Sequence, residues 1–405
     1  MTSKPFTLHW GILATGGIAK TFTKDLLIPP STRSAHDILH VVAAAASSNS
    51  SARAETFLRD VGAPQSATPH ASYTSLVHDA NVDIVYIATP HSHHYQHARL
   101  ALEAGKHVLV EKPITINAGQ ARVLYALARE KKRFLMEAVW TRFFPLTRSI
   151  QEVIGEGRLG TIKRVQSDLS FWNDVEKEFG TEHRMVNAEL GGGALLDLGV
   201  YSLTWVFLVL WHLQKGEGGE RVQPGVKGWV SKYEATGCDE MTSVMLEFRG
   251  AGVGSSSTEG EGEKDNGDAH ALALTSLRVS YQPNPDVPEP SVRIQGTRGD
   301  ILVHGISPRP LSYTLVPAQN EKRGKPADFK VETKAFEIPG GGHGMFWEAD
   351  ECARCVRDGK LESAIMGWEE SVQVMQVMDE VRRQGGVGYG EKLESEDYPL
   401  EGFGI

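Results

Sequence analysis

Cysteine is scarce in this chain, with three residues (Cys238, Cys352 and Cys355) among 405. Three thiols are too few for a disulfide framework, and the opening MTSKPFTLHW contains no apolar stretch typical of a secretory signal. The chain also lacks a long basic run, and its formal net charge is −9, with 42 basic and 51 acidic side chains. That balance argues against nucleic acid or an anionic membrane as the main partner.

A membrane-spanning segment is missing as well. The longest mainly apolar run, LGVYSLTWVFLVLW, has about 14 residues, whereas a helix needs about 20 to cross a bilayer. The run predicts instead a helix that is buried in the protein core. Together these absences predict a soluble, cytoplasmic protein.

The length and the order of predicted elements divide the chain into two domains, because 405 residues exceed what one core usually supports. Residues 1–140 alternate strand and helix patterns, which is typical of βαβ units around a parallel sheet and predicts a Rossmann domain. Residues 141–405 predict an α+β domain with a large, mostly antiparallel open sheet, expected to bind substrate and to mediate oligomerisation. The predicted fold class is therefore α/β. The acidic, glycine-rich GSSSTEGEGEKDNGD predicts a mobile surface loop.

The end of the first predicted strand carries a turn of small residues. In WGILATGGIAKTF, Ala14, Gly16 and Ala19 take the small-residue positions of the dinucleotide-binding pattern G-x-G-x-x-G/A. Gly16 would let the backbone approach a pyrophosphate, and the helix N-terminus would attract its charge. The residues predicted to bind cofactor here are Ala14, Thr15, Gly16, Gly17 and Ile18. Ala14 departs from the pattern and is expected to turn without a positive φ; a plain strand–turn–helix connection is the alternative.

The second predicted strand ends in AAAASSNSSARAE, without an acidic residue at the point where one usually binds the ribose of NAD. Ser47, Ser48 and Asn49 offer donors without negative charge, and Arg53 follows them. Such a pocket suits a 2′-phosphate better than a bare ribose, so NADP is the predicted cofactor. The alternative is a solvated serine loop that caps the next helix.

Histidines cluster after the third predicted strand, in IATPHSHHYQH. They invite a metal interpretation, but no carboxylate or thiol lies nearby at zinc-ligand spacing, so no metal is predicted. The residues expected to line the cofactor instead are Thr89, Pro90, His91 and His94.

Six motifs together resemble those of the glucose-fructose oxidoreductase and inositol dehydrogenase superfamily: GILATGGIA, ATPHSHH, AGKHVLVEKP, FLMEAVWTRFFP, HRMVN and GGGALLDLGVYSLTW. The resemblance covers nearly the whole chain and is weakest over residues 215–268. Within the superfamily the chain looks most like the fungal NADP-dependent D-xylose dehydrogenases and the dimeric dihydrodiol dehydrogenases of animals. The resemblance implies a sugar substrate and a homodimer formed through the C-terminal sheet.

The resemblance assigns catalysis to Lys112 of the EKP motif, together with Asp197 and Tyr201. Glu111 is expected to orient Lys112 and to lie beside the cofactor. A cation within about 4–6 Å lowers the pKa of a tyrosine, so Lys112 would favour the Tyr201 phenolate as a general base. The alternatives are a strand end at the surface for Lys112 and a core position for Tyr201. The sequence leaves open whether the Lys112–Pro113 peptide bond is cis.

Substrate contacts are predicted from residue chemistry, because an indole suits the C–H face of a sugar and arginine donors suit its hydroxyls. The predicted set is Lys112, Trp140, Arg142, Phe143, Arg184, Asn187, Asp197 and Tyr201. Trp140 and Arg142 are also expected near the cofactor, and Phe144 in the core. For Arg142 and Arg184 the alternative is a surface ion pair.

Three functions remain open at this point. The first is transfer of hydride from C1 of an aldose to NADP, with D-xylose giving D-xylono-1,5-lactone. The second is oxidation of aromatic trans-dihydrodiols, which the aromatic residues around Arg142 would suit. The third is a dinucleotide-sensing regulator of the same fold, although such a protein has no need of the complete Lys112–Tyr201 pair.

Overall fold

The computed structural model describes residues 4–214, 220–254, 267–319 and 329–405. Its strands are β1 (Phe6–Leu13), β2 (Ile38–Ala46), β3 (Thr68–His70), β4 (Ile84–Ile87), β5 (His107–Glu111), β6 (Leu135–Ala138), β7 (Ile162–Ser170), β8 (Gly225–Lys232), β9 (Asp239–Phe248), β10 (Ala269–Ser276), β11 (Pro290–Gly296), β12 (Gly299–His304), β13 (Ser312–Pro317) and β14 (Glu332–Ala335). Its α-helices are α1 (Gly17–Leu26), α2 (Ser51–Val61), α3 (Tyr73–Val77), α4 (His94–Glu103), α5 (Ala118–Lys131), α6 (Pro145–Gly155), α7 (Val175–Glu178), α8 (Val200–Leu210), α9 (Phe346–Arg357), α10 (Trp368–Gly385) and α11 (Glu391–Glu394). The predicted mobile loop falls largely on residues 255–266, outside the described residues.

The strands β1 to β6 form a parallel sheet with the order β3-β2-β1-β4-β5-β6. Both faces of this sheet are buried: Ile84 and Tyr86 of β4 enter one apolar core, and Val85 and Ile87 enter the other. The strand order reverses between β1 and β4. In sheets of this kind, ligands bind in the crevice at the carboxyl ends of the strands where the order reverses.

The strands β7 to β14 form a second sheet with the order β14-β13-β12-β11-β7-β10-β9-β8. Neighbouring strands are antiparallel except β7 and β10, which run parallel. Helices α8 and α10 pack on one face, where α8 meets β7 and β10 and α10 meets β8. The Rossmann sheet and the mostly antiparallel second sheet confirm the predicted fold class.

The apolar run predicted as a buried helix forms α8, and every residue of Val200–Leu210 is buried. The longer helical stretch Ala188–Leu210 is apolar enough to cross a membrane, but all of its most apolar window lies inside the protein. The prediction of a core helix is therefore confirmed. A π-helical turn, Leu195–Gly199, leads into α8.

Helix α9 comes from the C-terminal part of the chain but packs on the Rossmann sheet, where it contacts α1, β1 and β2. Its buried face carries Cys352 and Cys355, which are both free thiols. Asp350 of the same helix forms an ion pair with Arg33 at 2.7 Å. A single domain boundary at residue 140 does not account for this packing, because the segment after the second sheet returns to the first.

Candidate active site

A cleft of about 680 Å³ lies at the carboxyl ends of β1, β4 and β5. Its Rossmann side is lined by Ala14, Gly16, Gly17, Ile18, Ala88, Thr89, Pro90, His91, His94, Glu111 and Lys112. Its other lining residues are Trp140, Leu169, Phe171, Arg184, Leu190, Asp197, Leu198, Tyr201, Ile306, Pro308 and Met345. The cleft therefore combines the turns that follow the Rossmann strands with the start of α8 and the end of β7.

The turn after β1 is open toward the cleft. A Cβ atom at Gly16 or Gly17 would meet no atom within 4 Å among the described residues. Helix α1 begins at Gly17 without a side-chain cap in the described structure, so its first N–H groups are available to an anion. Ala14 has a φ of 87°, so the expectation that it turns without a positive φ is wrong. The tight turn demands that conformation although glycine would adopt it with less strain.

The serine loop after β2 lies beside this turn, because the Ala14 N–H donates to the last carbonyl of β2 at 3.1 Å. Ser48 and Asn49 are exposed, and so is Arg53. Ser50 caps α2 by accepting a hydrogen bond from the Arg53 N–H at 3.3 Å. The loop thus caps a helix and also presents the exposed side chains of Ser48, Asn49 and Arg53, of which Ser48 hydrogen-bonds Tyr73. Binding of a 2′-phosphate by Ser47, Ser48, Asn49 and Arg53 stays a prediction.

His94 connects the turns after β4 and β5. It is fully buried, with Nδ1 at 2.7 Å from Pro113 O and Nε2 at 2.9 Å from Thr89 O. A neutral imidazole donates only one of these hydrogen bonds, and burial lowers the pKa of His94 to about 3. His94 therefore holds cleft backbone in place. Within the described part of the chain, no group of three or more His, Cys, Asp and Glu side chains is arranged to hold a metal ion.

Strand β5 delivers Lys112 into the cleft. The Lys112–Pro113 peptide bond is cis. Lys112 Nζ donates to Asp197 O at 2.7 Å and to Asp197 Oδ1 at 3.0 Å. The two side chains are only 12% and 7% exposed. The charged end of this strand therefore faces the cleft and not bulk solvent.

Glu111 lies at the base of the cleft. Its carboxylate accepts hydrogen bonds from the Tyr86 hydroxyl and from the backbone N–H of Lys112 (3.2 Å). Burial raises the pKa of Glu111, although the Tyr86 hydrogen bond and the Lys112 charge oppose the rise. Glu111 thus contacts the backbone of Lys112, whereas Asp197 holds its amine.

Asp197 lies in the π-helical turn and gathers three basic groups. Its Oδ1 accepts from Lys112 Nζ and from Arg184 Nη1, both at 3.0 Å, and lies 3.5 Å from His91 Nε2. Burial alone would raise the pKa of Asp197. The charge of Lys112 and the neighbouring His91 and Arg184 outweigh burial and hold that pKa well below its usual value. Asp197 is therefore a carboxylate at neutral pH.

Tyr201 faces Lys112 from the first turn of α8, and Lys112 Nζ lies 5.0 Å from the centroid of its ring. The Tyr201 hydroxyl oxygen accepts a hydrogen bond from Trp140 Nε1 at 2.8 Å. Burial, followed by the charge of Glu111, raises the pKa of Tyr201 well above its usual value. The expected lowering of this pKa by Lys112 is not observed, because burial and the charge of Glu111 dominate.

Comparison with known proteins identifies the family. The oxidoreductase family model with an NAD-binding Rossmann fold, GFO_IDH_MocA, matches residues 8–139, and the GFO/IDH/MocA C-terminal domain matches residues 147–302. The chain belongs to the GFO/IDH/MocA oxidoreductase family. The superfamily resemblance seen in the motifs is confirmed.

Relatives that match over nearly the whole chain agree with that assignment, and solved structures share the fold. The chain is 48% identical to the D-xylose 1-dehydrogenase (NADP(+)) of Hypocrea jecorina, over 98% of this chain and 97% of the relative. It is 31% identical to the trans-1,2-dihydrobenzene-1,2-diol dehydrogenase of Sus scrofa, over 94% and 98% of the two chains. The fold matches a 3-ketoreductase from Actinomadura kijaniata in complex with NADP and TDP-benzene (TM-score 0.70, 21% identity, 94% and 98% coverage). It also matches a levoglucosan dehydrogenase in complex with NADH and levoglucosan (TM-score 0.71, 19% identity, 94% and 97% coverage).

In this GFO/IDH/MocA member, the structure places three predicted substrate contacts outside the cleft, and the predicted cofactor contacts Thr15, Ser47, Ser48, Asn49 and Arg53 do not line it either. Arg142 is buried, with Nε donating to Ile365 O at 2.9 Å and the guanidinium paired with Glu370. The short 3₁₀ helix Trp140–Phe143 turns successive side chains in different directions, so Trp140 reaches the cleft and Arg142 does not. The prediction that Arg142 binds cofactor and substrate is therefore wrong, and its ion pair is buried and not at the surface.

The other two residues that were predicted to contact substrate, Phe143 and Asn187, have local structural roles instead. Phe143 packs in the apolar core on the α9 side of the Rossmann sheet. Asn187 caps a 3₁₀ helix, Ala188–Leu190, by accepting from the Glu189 N–H at 2.9 Å. Neither side chain lines the cleft, so both predicted substrate contacts are wrong. Phe144, expected in the core, is buried.

Several apolar cleft residues were not predicted from the sequence. They include Leu169 and Phe171 at the end of β7, together with Ile306, Pro308 and Met345. These residues come from segments far apart in the chain, and their apolar character is equally typical of core positions. The one signal in the sequence was the position of Phe171 at the end of the strand-like segment TIKRVQSDLSF.

Proposed function

We propose that this oxidoreductase transfers hydride from C1 of an aldose to NADP, with D-xylose as the leading substrate and D-xylono-1,5-lactone as its product. The observation that carries the proposal is the convergence of Lys112, Asp197 and Tyr201 in a cleft that also contains the glycine turn. The 48% identity to a D-xylose 1-dehydrogenase (NADP(+)) supports the same substrate and cofactor.

The residues of the cleft fit a dinucleotide. The open space before Gly16 and Gly17 suits a pyrophosphate at the N-terminus of α1. The serine loop would hold the adenosine 2′-phosphate with hydroxyl donors and the Arg53 charge. Thr89, Pro90 and His91 line the path toward Lys112, where the nicotinamide would lie. When bound, the oxidised nicotinamide supplies the hydride acceptor and a positive charge.

The chain's own residues would handle the proton. Oxidation of a cyclic aldose removes the C1 hydroxyl proton and the C1 hydride, so the hemiacetal becomes a lactone. In its phenolate form Tyr201 takes the hydroxyl proton as the general base. Trp140 stabilises that phenolate through its Nε1–H, and the positive charge of a bound oxidised nicotinamide would oppose the raised pKa of Tyr201. Lys112, held by Asp197, places a cation beside the tyrosine ring and can donate to the sugar oxygen. A deprotonated Asp197 keeps Lys112 in position.

The substrate side of the cleft offers one polar and one apolar surface. Arg184, whose side chain is 55% exposed, and Asp197 can bind sugar hydroxyls. Trp140 and Phe171 present aromatic surface to the C–H groups of a sugar. The same aromatic surface, and 31% identity to a trans-1,2-dihydrobenzene-1,2-diol dehydrogenase, make an aromatic diol the second candidate substrate.

We further propose a cytoplasmic homodimer that forms through the outer face of the second sheet. This face carries Trp229 (60% exposed) and Met245 (45% exposed), which are large apolar side chains on adjacent strands. Sedimentation of the wild type and of Trp229→Lys tests this assembly. A monomeric wild type would exclude it.

The decisive experiment is a steady-state comparison of pentoses, hexoses and trans-dihydrobenzenediol, each with NADP and with NAD. The proposal expects the highest kcat/KM for D-xylose with NADP, and a lactone as the first product. A higher kcat/KM for the diol would favour the second candidate. The absence of NADP reduction with every aldose would contradict the proposed function.

A further inference from the structure

A second cavity, of about 790 Å³, shares no residue with the cleft. It lies between α5, the C-terminal end of α8 and the N-terminus of α10, and we call it the basic pocket. We propose that the basic pocket binds a small anion that carries a phosphate or pyrophosphate group. The proposed oxidoreductase chemistry does not use it.

Four basic side chains line the basic pocket: Arg122, Arg129, Arg221 and Lys360. Within the described part of the chain, Arg122, Arg129 and Lys360 form neither an ion pair nor a side-chain hydrogen bond. Arg221 lies 3.4 Å from Glu369. Three cations around one cavity are thus available to a ligand with more than one negative charge.

The acidic residues of the basic pocket offset only part of this charge, because Glu369 and Glu370 are ion-paired and Glu362 alone opposes the three unpaired cations. Glu362 accepts the N–H of the first residue of α10 at 2.8 Å. Glu369 faces Arg221. Glu370 is buried between Arg142 (2.5 Å) and His212 (2.8 Å). The charge that remains unpaired in the pocket is therefore positive.

Two neutral donor groups also face the basic pocket. Helix α10 has 18 residues and begins there at Trp368; its N-cap residue, Gly367, has no capping side chain, although Glu362 accepts the Trp368 N–H. Trp211 lines the same cavity and is only 1% exposed, yet its indole N–H has no hydrogen-bond partner among the described residues. Buried N–H groups are normally paired, and under this proposal the bound anion would supply the acceptor for the Trp211 N–H.

The arrangement of the arginines favours phosphate over other anions. The Arg129 guanidinium lies 5.3 Å from the Trp368 ring centroid, and that of Arg221 lies 4.3 Å from the Trp211 ring centroid. Stacking on an indole restrains a guanidinium and leaves its N–H edge free. Such preorganised forks bind phosphate oxygens in a bidentate manner. A phosphate ester or a pyrophosphate therefore matches the pocket in charge and in donor geometry.

The test is isothermal titration calorimetry of the full chain with inorganic pyrophosphate, in the presence of saturating NADP so that the cleft is occupied. We expect saturable binding by the wild type and at least ten-fold weaker binding by the Arg122→Gln/Arg129→Gln variant. Trp211→Phe keeps an aromatic ring but lacks the N–H, and it should weaken binding several-fold. Thermal melting checks that each variant is folded.

The matched control is Arg59→Gln/Arg249→Gln, which removes two exposed arginines elsewhere on the surface. This control should bind pyrophosphate like the wild type. Three outcomes would overturn the proposal: no saturable binding at millimolar pyrophosphate, unchanged affinity in both pocket variants, or an equal loss in the control.

Discussion

Trp140 Nε1 donates a hydrogen bond to the hydroxyl oxygen of Tyr201 at 2.8 Å. The bond joins the 3₁₀ helix that follows the Rossmann sheet to the first turn of α8, which packs on the second sheet. Segments associated with the two sheets therefore meet at Tyr201, the proposed general base. A hydrogen bond donated to the oxygen stabilises the phenolate, whereas burial and the charge of Glu111 destabilise it. The hydrogen bond from Trp140 therefore lowers the pKa of Tyr201 and opposes part of the rise that burial and Glu111 cause.

Replacement of Trp140 by Phe should move the pH dependence of kcat to higher pH. The phenolate of Tyr201 would lose its donor, and a hydrogen bond worth about 1 kcal/mol corresponds to a rise of somewhat under one pKa unit. The pH–rate profile with the preferred sugar measures this shift. Trp229→Phe, in an exposed tryptophan of β8, serves as the control. An unchanged profile in Trp140→Phe would show that Tyr201 is not the titrating base.

Lys112→Met should lower kcat by about 10²-fold or more while NADP affinity changes only a few-fold. The amine acts on the proton transfer, whereas the glycine turn and the serine loop would hold most of the cofactor. Steady-state kinetics and NADP titration by fluorescence measure the two effects separately. Lys131→Met, a surface substitution, should leave both unchanged. A variant that keeps most of the wild-type kcat would contradict the catalytic role of Lys112.

Ser48→Asp should weaken NADP binding far more than NAD binding, by about ten-fold or more. The new carboxylate would stand where the 2′-phosphate is expected, and like charges repel. Dissociation constants for both cofactors provide the measurement. Ser66→Asp adds the same charge to an exposed loop that precedes β3, at the amino ends of the strands, whereas the serine loop lies at their carboxyl ends; it should change neither constant. Equal weakening of NADP and NAD binding in Ser48→Asp would show that the serine loop does not determine the preference for NADP over NAD.

Features that depend on neighbouring residues could be predicted from the sequence. Alternating strand and helix patterns predicted the Rossmann sheet, and the small residues after β1 predicted the open turn at Gly16. The resemblance to a known superfamily brought Lys112, Asp197 and Tyr201 into one hypothesis, and the structure places them in one cleft. A local pattern is sufficient for the sheet and the turn because the directions of neighbouring side chains repeat with the period of the strand or helix to which they belong.

Features that depend on distant segments could not be predicted in this way. Arg142 pairs with Glu370, 228 residues later in the chain, so nothing near WTRFFP indicates that its side chain leaves the cleft. The docking of α9 on the Rossmann sheet is a similar case, since its helical pattern does not specify which sheet it covers. The positive φ of Ala14 reflects the geometry of a turn that its side chain does not favour.

Arg142→Met should destabilise the protein without acting on substrate recognition. Removal of one partner from a buried ion pair costs about 3–5 kcal/mol, and here it leaves the Glu370 carboxylate with the His212 ring as its remaining partner among the described residues. Urea denaturation gives the free energy of unfolding, and the KM of the folded fraction should stay within about two-fold. Arg148→Met, in an exposed arginine of α6, should change neither quantity. A large rise in KM at unchanged stability would restore Arg142 as a substrate ligand.

Glu137→Gln should change the pH dependence of stability. The Glu137 carboxyl accepts hydrogen bonds from the Ile114 N–H (3.0 Å) and from the Ser371 hydroxyl, and burial raises its pKa to about 7.

The folded chain keeps this proton up to about pH 7, whereas the unfolded chain releases it near pH 4.5, so stability falls as pH rises through that window. The loss reaches about 3 kcal/mol, since each pKa unit is worth about 1.4 kcal/mol. Glutamine can accept from Ile114 and donate to Ser371 without ionising. Urea denaturation measures the free energy of unfolding of Glu137→Gln and of the wild type at each pH. The value for Glu137→Gln minus that for the wild type should increase by about 3 kcal/mol between about pH 4.5 and 8. Glu130→Gln, in an exposed carboxylate of α5, should follow the wild type. A constant difference between Glu137→Gln and wild type across this range would mean that Glu137 ionises as readily in the folded chain as in the unfolded one.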